Sequence, residues 1–347
     1  MTFLNYLKKD IGIDLGTTNS LVYLKQRGII INEPTIVAIN TKSGQVLAIG
    51  NEAKKMLGRT PNHISVIKPL INGVVSDFEM AQEILRHFFK KINQNSFFNY
   101  NRLVVGIPTN LTEVERKSVE DAAMAAGANK VFLVEEPVAA VLGARLPVNE
   151  PIANMIVDIG GGTTEIAIIS LDGVVTAKSL KIAGDKFNED IIRYIRDEFK
   201  LVIGEPTAEE LKITIGSAIP LDERLELAVR GRDMSTGLPK EIMVKHGQIR
   251  TALNNSIVSI IDTVKETIES TPPELVGDIL KQGIHLCGGG SLLKGIDQRI
   301  EKEVGVPTTI VDEPLTCVVR GTGIIAENFS FYTKNLSTPL KPLDIKL

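Results

Sequence analysis

The sequence predicts a mixed α/β protein made of two related halves that face each other across a ligand cleft. Three observations carry this. Residues 155–169 read Met-Ile-Val-Asp-Ile-Gly-Gly-Gly-Thr-Thr-Glu-Ile-Ala-Ile-Ile, an apolar run ending in Asp158, a Gly/Thr turn, and a second apolar run. Residues 11–24 repeat that grammar around Asp14, Gly16, Thr17, Thr18 and Asn19. Elsewhere, capped amphipathic helices alternate with buried-type strands, and a third Gly-rich turn, Cys287-Gly288-Gly289-Gly290-Ser291, comes late.

In both copies the apolar runs are short and rich in β-branched residues, so each pair reads as a hairpin. Glycines let a ligand approach the backbone closely, and clustered N–H groups in such a turn suit phosphate. An Asp at a strand end is placed to hold Mg²⁺ through water. A single copy reads equally well as a Gly-rich hairpin with an exposed Asp. The second copy breaks that tie, because two facing hairpins can grip the phosphates of one nucleotide from both sides. Two copies mark a duplicated unit, not a solenoid with a period of roughly 20–50 residues.

Taken in order, residues 1–9 place Phe3, Leu4 and Leu7 on one helical face ahead of Lys8 and Lys9. That reads either as a short membrane-surface helix or as a terminus packing apolar groups on the body. Apolar runs at 28–39 and 46–49, around a turn at 41–44, form a small insert. Ser76 and Glu79 make a capping box opening a helix with Met80, Ile84, Leu85, Phe88 and Phe89 on its apolar side. The polar loop 93–101 is interrupted by Phe97 and Phe98, which either tuck beneath it or form an apolar tip. A strand at 103–107 precedes a second capping box, Thr112 and Glu115, whose helix stops at Gly127. The strand 131–134 delivers Glu135-Glu136-Pro137 at its C-terminal end, where open α/β sheets bind ligands.

Residues 147–151, flanked by prolines, mark the boundary between halves. In the second half, Gly184-Asp185 starts a helix that buries Phe187, Ile191, Ile192, Ile195 and Phe199. Thr207 and Glu210 form a third capping box, on a helix carrying Glu209 and Lys212. Residues 220–245 are strand and turn, 249–268 a long amphipathic helix, and 283–286 the strand before the third Gly-rich turn. Gly321-Thr322-Gly323 sits in a last helical stretch, and the tail 337–347 reads as flexible.

Composition narrows the function. The chain has 347 residues, 43% of them hydrophobic and 23% charged, which describes an ordinary globular protein of two domains or one large one. A net charge of −3 argues against nucleic acid as a partner. The two cysteines, Cys287 and Cys317, fall in unrelated contexts and suggest neither a metal site nor a disulfide framework, which fits a reducing cytoplasm. The four histidines are scattered, with no metal-ligand spacing. No apolar run is long enough to span a bilayer, and no secretory signal is present.

With these motifs in place, the chain resembles the actin/heat-shock-chaperone/sugar-kinase ATPase superfamily. Along nearly its whole length it resembles more closely the MreB family of bacterial actins. The resemblance rests on Ile-Asp-Leu-Gly-Thr-Thr-Asn-Ser-Leu-Val-Tyr at 13–23, Asn-Glu-Pro-Thr-Ile-Val-Ala-Ile at 32–39, Leu-Gly-Arg-Thr-Pro at 57–61 and Glu-Glu-Pro-Val-Ala-Ala at 135–140. It continues through Val-Asp-Ile-Gly-Gly-Gly-Thr-Thr-Glu at 157–165, Arg-Gly-Arg-Asp at 230–233, Gly-Leu-Pro-Lys at 237–240 and Thr-Pro-Pro-Glu-Leu at 271–275.

The resemblance implies an actin-like ATPase fold, two duplicated α/β domains flanking a nucleotide cleft, each with a small subdomain. It implies domain IA from 1–33, 72–147 and 316–347, subdomain IB from 34–71, domain IIA from 148–180 and 246–315, and subdomain IIB from 181–245. It implies ATP and Mg²⁺ as cofactors. Gly16, Thr17, Thr18 and Asn19 then form the first phosphate loop, and Gly160, Gly161, Gly162, Thr163 and Thr164 the second. Asp14 and Asp158 hold the metal, through water, and Gly288, Gly289 and Gly290 turn against the nucleoside. Glu209 and Lys212 match a purine-side helix, although their spacing also suits a solvated surface pair. Glu136 and Thr163 match the positions that orient and activate the attacking water, so hydrolysis is expected as well as binding.

The family polymerises head-to-tail into paired protofilaments on the membrane, which implies a cytoplasmic protein peripheral to the inner face of the cell membrane. Its partners are then itself, the membrane surface, and unidentified membrane or cell-wall-related proteins. Pairing is expected on the helix at 112–126 through Val114 or Val119, and membrane contact through Phe3, Leu4, Leu7, Phe97 and Phe98. The chain departs from the family at Thr18, where Ala is usual, and at Cys287, where Thr is usual. Rival readings are a sugar-kinase-like phosphotransferase, a chaperone ATPase, and a nucleotide-binding structural filament with little hydrolysis.

Overall fold

A computed structural model describes residues 9–93, 100–222 and 224–335. Phe3, Leu4, Leu7, Phe97 and Phe98 lie outside the described residues. The chain opens as an antiparallel meander of β1 (Lys9–Leu15), β2 (Asn19–Leu24) and β3 (Gly28–Pro34). A small excursion follows: β4 (Val37–Asn40), β5 (Val46–Ile49), α1 (Asn51–Met56), β6 (Ile64–Ile67) and the two-residue strands β7 (Leu70–Ile71) and β8 (Val74–Val75). Then come α2 (Phe78–Asn93), β9 (Tyr100–Ile107), α3 (Glu113–Ala126), β10 (Val131–Glu135) and α4 (Glu136–Gly143).

The second half starts with another meander, β11 (Asn154–Ile159), β12 (Thr164–Ser170) and β13 (Gly173–Leu180). It continues through α5 (Gly184–Phe199), β14 (Leu201–Val202), α6 (Glu205–Ile215), β15 (Glu226–Asp233), β16 (Pro239–Lys245) and α7 (His246–Glu269). α8 (Pro273–Gln282), β17 (Ile284–Cys287), α9 (Ile296–Val304), β18 (Thr308–Ile310), α10 (Cys317–Glu327) and α11 (Phe329–Asn335) complete it.

The two large sheets run β3-β2-β1-β9-β10 and β13-β12-β11-β17-β18. Each is a three-strand meander whose first strand also pairs in parallel with a later strand, which pairs in parallel with the last. The duplication read from two hairpins therefore extends to whole sheets. The small sheets, β5-β4-β6 and β14-β15-β16, follow the meander in each half.

Three large apolar clusters hold the two main sheets and their helices together, and a small fourth, Ile36, Ala38 and Ala53, lies in the excursion. One packs α2 and α3 on the outer face of the first sheet, around the fully buried Phe88. A second packs α5, α6, α7 and α9 on the outer face of the second, around Phe187. The third lies between the sheets and includes residues of α4 and α10. Burying such side chains contributes roughly 1.5–3 kcal/mol each. α4 and α10 meet backbone to backbone, since a Cβ on Gly321 would come 1.8 Å from the Ala139 carbonyl oxygen. α10 also lies against β1 and β9, so the chain returns to its first half at the end.

Local signals fared unevenly. The Thr112–Glu115 capping box forms in full, and Gly127 closes its helix at φ 116°. Ser76 does not cap α2. Its hydroxyl donates to the Pro69 carbonyl at 3.1 Å, and the Asp77 carboxylate accepts from the Met80 N–H at 3.1 Å instead. Nor does Thr207 open α6, which starts at Glu205 with Pro206 in its first turn. On α3, Val114 is 76% exposed but Val119 is 3% exposed, in the first-half core, so Val119 is no surface contact.

Candidate functional site

Both Gly/Thr turns sit where a sheet's first strand meets its second. Asp14 pairs across the hairpin with Leu21 and on its other side with Gly106. Asp158 pairs correspondingly with Glu165 and Cys287. The equivalent positions of the two halves thus face the same cleft, and Glu136 joins them as the first residue of α4.

The first loop is held from outside. Thr35 donates its hydroxyl to the Gly16 carbonyl at 2.7 Å and its N–H to the Thr18 carbonyl at 2.9 Å. Thr17 Oγ1 accepts from the Gly73 N–H at 2.9 Å, while the buried Thr18 Oγ1 has no partner. The second loop is held by the N-terminus of α5: the Gly184 N–H donates to Gly160 O at 3.1 Å and the Asp185 N–H to Gly161 O at 2.7 Å. Within the loop, the Gly160 N–H donates to Thr163 O at 2.9 Å, and Thr164 Oγ1 donates to Ile182 O at 2.7 Å.

The two loops touch. A Cβ on Gly161 would lie 2.0 Å from Thr18 Oγ1, and one on Gly162 would lie 2.6 Å from Thr17 Oγ1 and 2.9 Å from the Asn72 Cα. The glycines therefore let one loop approach the other, as well as keeping backbone bare for a ligand. The third Gly-rich turn reaches the same spot: a Cβ on Gly288 would lie 2.2 Å from Asp158 Oδ1, and one on Gly290 would meet the Ile159 side chain. Gly289 starts the 3₁₀ turn between them and α9.

Electrostatics single out the carboxylates. Burial, then the charge of Asp158, pushes Asp14 up to about 7. Burial, then Glu165, pushes Asp158 up to about 7, against a lowering contact from the Cys287 thiol. Burial and the charges of Glu165, Asp14 and Asp158 push Glu136 well above the usual carboxylate range. Asp158 is nearly sealed, at 6% exposed, whereas Asp14 and Glu136 are half-buried, so water moderates the push on those two. No Lys or Arg offsets this charge among the described residues.

A divalent cation would offset the charge of such a cluster. Two aspartates, with water and phosphate oxygens completing the shell, suit Mg²⁺, which keeps several waters. Among the described residues no group of three or more His, Cys, Asp or Glu could cage a metal unaided. The unpartnered Thr18 hydroxyl and the close-set loops fit a polyanion bound beside such a cation.

Asn19 begins β2, beside the first loop. Glu209 and Lys212 sit further out but are not a free surface pair. Lys212 Nζ donates to Glu209 at 2.7 Å and to the Gly184 carbonyl at 3.1 Å, and Asn188 donates to Glu209 at 2.7 Å. They tie α6 to the α5 terminus that holds the second loop.

Sequence reading passed over two features. Glu165, 1% exposed, accepts from the Thr109 N–H at 3.2 Å, the Thr109 hydroxyl at 2.6 Å and the Ser179 hydroxyl at 2.6 Å, so it joins the two halves. An acid inside an otherwise apolar strand was the available signal. The cysteines do not fall in unrelated places: Cys287 lies beside both Cys317 and Asp158, and the Cys317 thiol donates to the Ala140 carbonyl at 3.1 Å. Nothing local to either cysteine announces that meeting.

Comparison with known proteins agrees with this architecture. A family model described as MreB/Mbl protein matches residues 8–334. The cell shape-determining protein Mbl of Bacillus subtilis is 46% identical over 320 residues, covering 92% of this chain and 96% of that protein. The cell shape-determining protein MreB of Escherichia coli is 44% identical over 339 residues, covering 96% and 98%. Crystal structures of MreB5 of Spiroplasma citri bound to ADP and to AMPPNP each superpose with a TM-score of 0.90 at 39% identity. They cover 94% of this chain and 99% and 98% of theirs. With two matching half-sheets, paired Asp–Gly–Thr hairpins and this agreement across nearly its length, the chain belongs to the MreB/Mbl family and has its actin-like fold.

Proposed function

We propose that this chain is an ATP-dependent, actin-like cytoskeletal protein that forms membrane-associated filaments maintaining cell shape, and that it hydrolyses ATP in the cleft. The observation that carries the reading is the pair of facing phosphate loops beside an uncompensated carboxylate cluster. Its support from relatives is that two are named cell shape-determining proteins and a third was crystallised with ADP and with AMPPNP.

In this reading Gly16, Thr17, Thr18 and Asn19 take the phosphates from one side. Gly160, Gly161, Gly162, Thr163 and Thr164 take them from the other. Asp14 and Asp158 would hold Mg²⁺ through water, which would supply neutralisation of charge on the phosphates. Glu136 orients the attacking water and accepts its proton, and Thr163 hydrogen-bonds the same water. Gly288, Gly289, Gly290, Glu209 and Lys212 flank the nucleoside. Domain IA is 1–33, 72–147 and 316–347, subdomain IB is 34–71, domain IIA is 148–180 and 246–315, and subdomain IIB is 181–245.

Filaments follow from head-to-tail contacts that do not close. Many copies of weak apolar anchors at Phe3, Leu4, Leu7, Phe97 and Phe98 would add along one filament and hold it at the inner face of the membrane. No helix among the described residues is long and apolar enough to cross a membrane. Membrane or cell-wall-related proteins are further partners.

One observation favours a second reading, a structural filament with little hydrolysis. Burial and the charges of Glu165, Asp14 and Asp158 push the Glu136 carboxyl well above the usual carboxylate range, which favours its protonated form over the form that accepts a proton. Sedimentation with ATP, ADP or neither, with and without liposomes and with phosphate release on the same samples, separates the two. Pelleting with phosphate release that Glu136→Ala lowers by about 10²–10⁴-fold supports the first. Pelleting without phosphate release supports the second, and no pelleting under any condition removes both.

A further inference from the structure

One segment of the first half spans the cleft. β6 leads through Lys68 and Pro69 into the β7–β8 hairpin, whose turn touches both phosphate loops. The Gly73 N–H donates to Thr17 Oγ1, and Asn72, held at φ 51°, lies against Gly162. At the head of the segment, Lys68 Nζ donates to Glu205 at 2.5 Å and to Asp185 at 3.2 Å. These acids occupy the first turns of α6 and α5. The Asp185 N–H in turn donates to the Gly161 carbonyl. A cation of the first half is thus one residue away from the phosphate loop of the second.

Burial works against the Lys68 charge, but Asp185 and Glu205 outweigh it and hold the ammonium above its usual range. Facing charges elsewhere follow the same pattern: Lys54 of α1 favours the charge of Glu209 on α6. The contrast with Glu165 is instructive. That carboxylate joins the halves in a sealed place, whereas the Lys68 side chain is 27% exposed and its acids 26% and 38%. Partly solvated bridges are weak enough to open and close.

We propose that Lys68 is a cross-cleft positioning residue, whose bridges to Asp185 and Glu205 hold the 68–73 strap over the cleft and govern how fast a bound nucleotide leaves. The proposal rests on the nucleotide reading of the site.

The test uses the full chain, Mg²⁺ and a fluorescent ATP analogue displaced in a stopped-flow chase. Lys68→Ala should release the analogue on the order of tenfold faster, and Lys68→Glu faster still. Combining Lys68→Glu with Glu205→Lys should bring release back to within about threefold of the wild type, a rescue that general damage to the fold cannot produce. Raising salt from roughly 50 to 500 mM should speed release from the wild type and not from Lys68→Ala. Equal release from wild type and Lys68→Ala, both binding the analogue, overturns the clasp. If the wild type binds no analogue, the nucleotide reading fails instead. Amide exchange across 160–165 then decides the clasp alone: faster exchange in Lys68→Ala upholds the contact, and equal exchange removes it.

Discussion

The two hairpins share a backbone plan and divide the chemistry. At the first, Asp14 stands opposite Leu21, and the loop presents threonine side chains. At the second, Asp158 stands opposite Glu165, and the loop presents bare glycine backbone pinned by the start of α5. Duplication therefore fixed where the loops sit, and divergence decided what each offers. Both halves bring hydroxyls; the second adds close approach and an extra acid that also latches onto Thr109 of the first half.

Copying the first hairpin into the second breaks this division most severely. Glu165→Leu, which installs the counterpart residue, strands the Thr109 N–H, the Thr109 hydroxyl and the Ser179 hydroxyl in a buried place. At about 1–3 kcal/mol for each unsatisfied group, thermal or urea melting should show a loss of several kcal/mol. Next comes Gly162→Ala. Its new Cβ meets the backbone of Asn72, which cannot swing aside, so the loops must part. Such overpacking costs about 1–3 kcal/mol and should weaken binding of an ATP analogue by roughly 10–100-fold in a titration. An unchanged affinity would show that the loops have slack.

Charge gives the third test. Asp14 and Asp158, raised from 3.8 to about 7, hold more protons folded than unfolded between those values. Stability without a cation should therefore fall as pH rises from about 4 towards 7. Mg²⁺ with an ATP analogue should raise the melting temperature more at pH 8 than at pH 5. An equal rise at both would separate the cation from these carboxylates.

The smallest effects lie within the first loop. Thr17→Val orphans the Gly73 N–H and should cost about 1 kcal/mol. Thr18→Val removes a hydroxyl that has no protein partner, so stability should move by no more than about 0.5 kcal/mol. If that hydroxyl serves a phosphate, analogue binding alone weakens, by roughly 5–10-fold. Measuring melting and binding on both variants separates a structural threonine from a binding one.

The same contrast explains what the sequence made legible. Asp14, Asp158 and their loops were readable because a hairpin writes its strands, turn and glycines into one contiguous stretch. Thr112–Glu115 was readable for the same local reason, and Thr207 misled because Pro206 set the first turn ahead of it. Glu165–Thr109, Lys68–Asp185 and Cys287–Cys317 were not readable, since each meeting depends on how two distant elements dock. Val119 was misplaced because its helix shows apolar and small residues on more than one side.

The return of α10 bears on how the chain is made. Its backbone packs on α4 and against β1 and β9, elements that leave the ribosome long before it does. During synthesis the inner face of the first sheet must wait, covered only in part by α4, until the whole second half has emerged. Cleaving the chain at 147–151 should therefore not release a first half that folds alone, for its last structural layer is encoded beyond the other half. The halves are copies in shape, but the first takes its last layer from beyond the second.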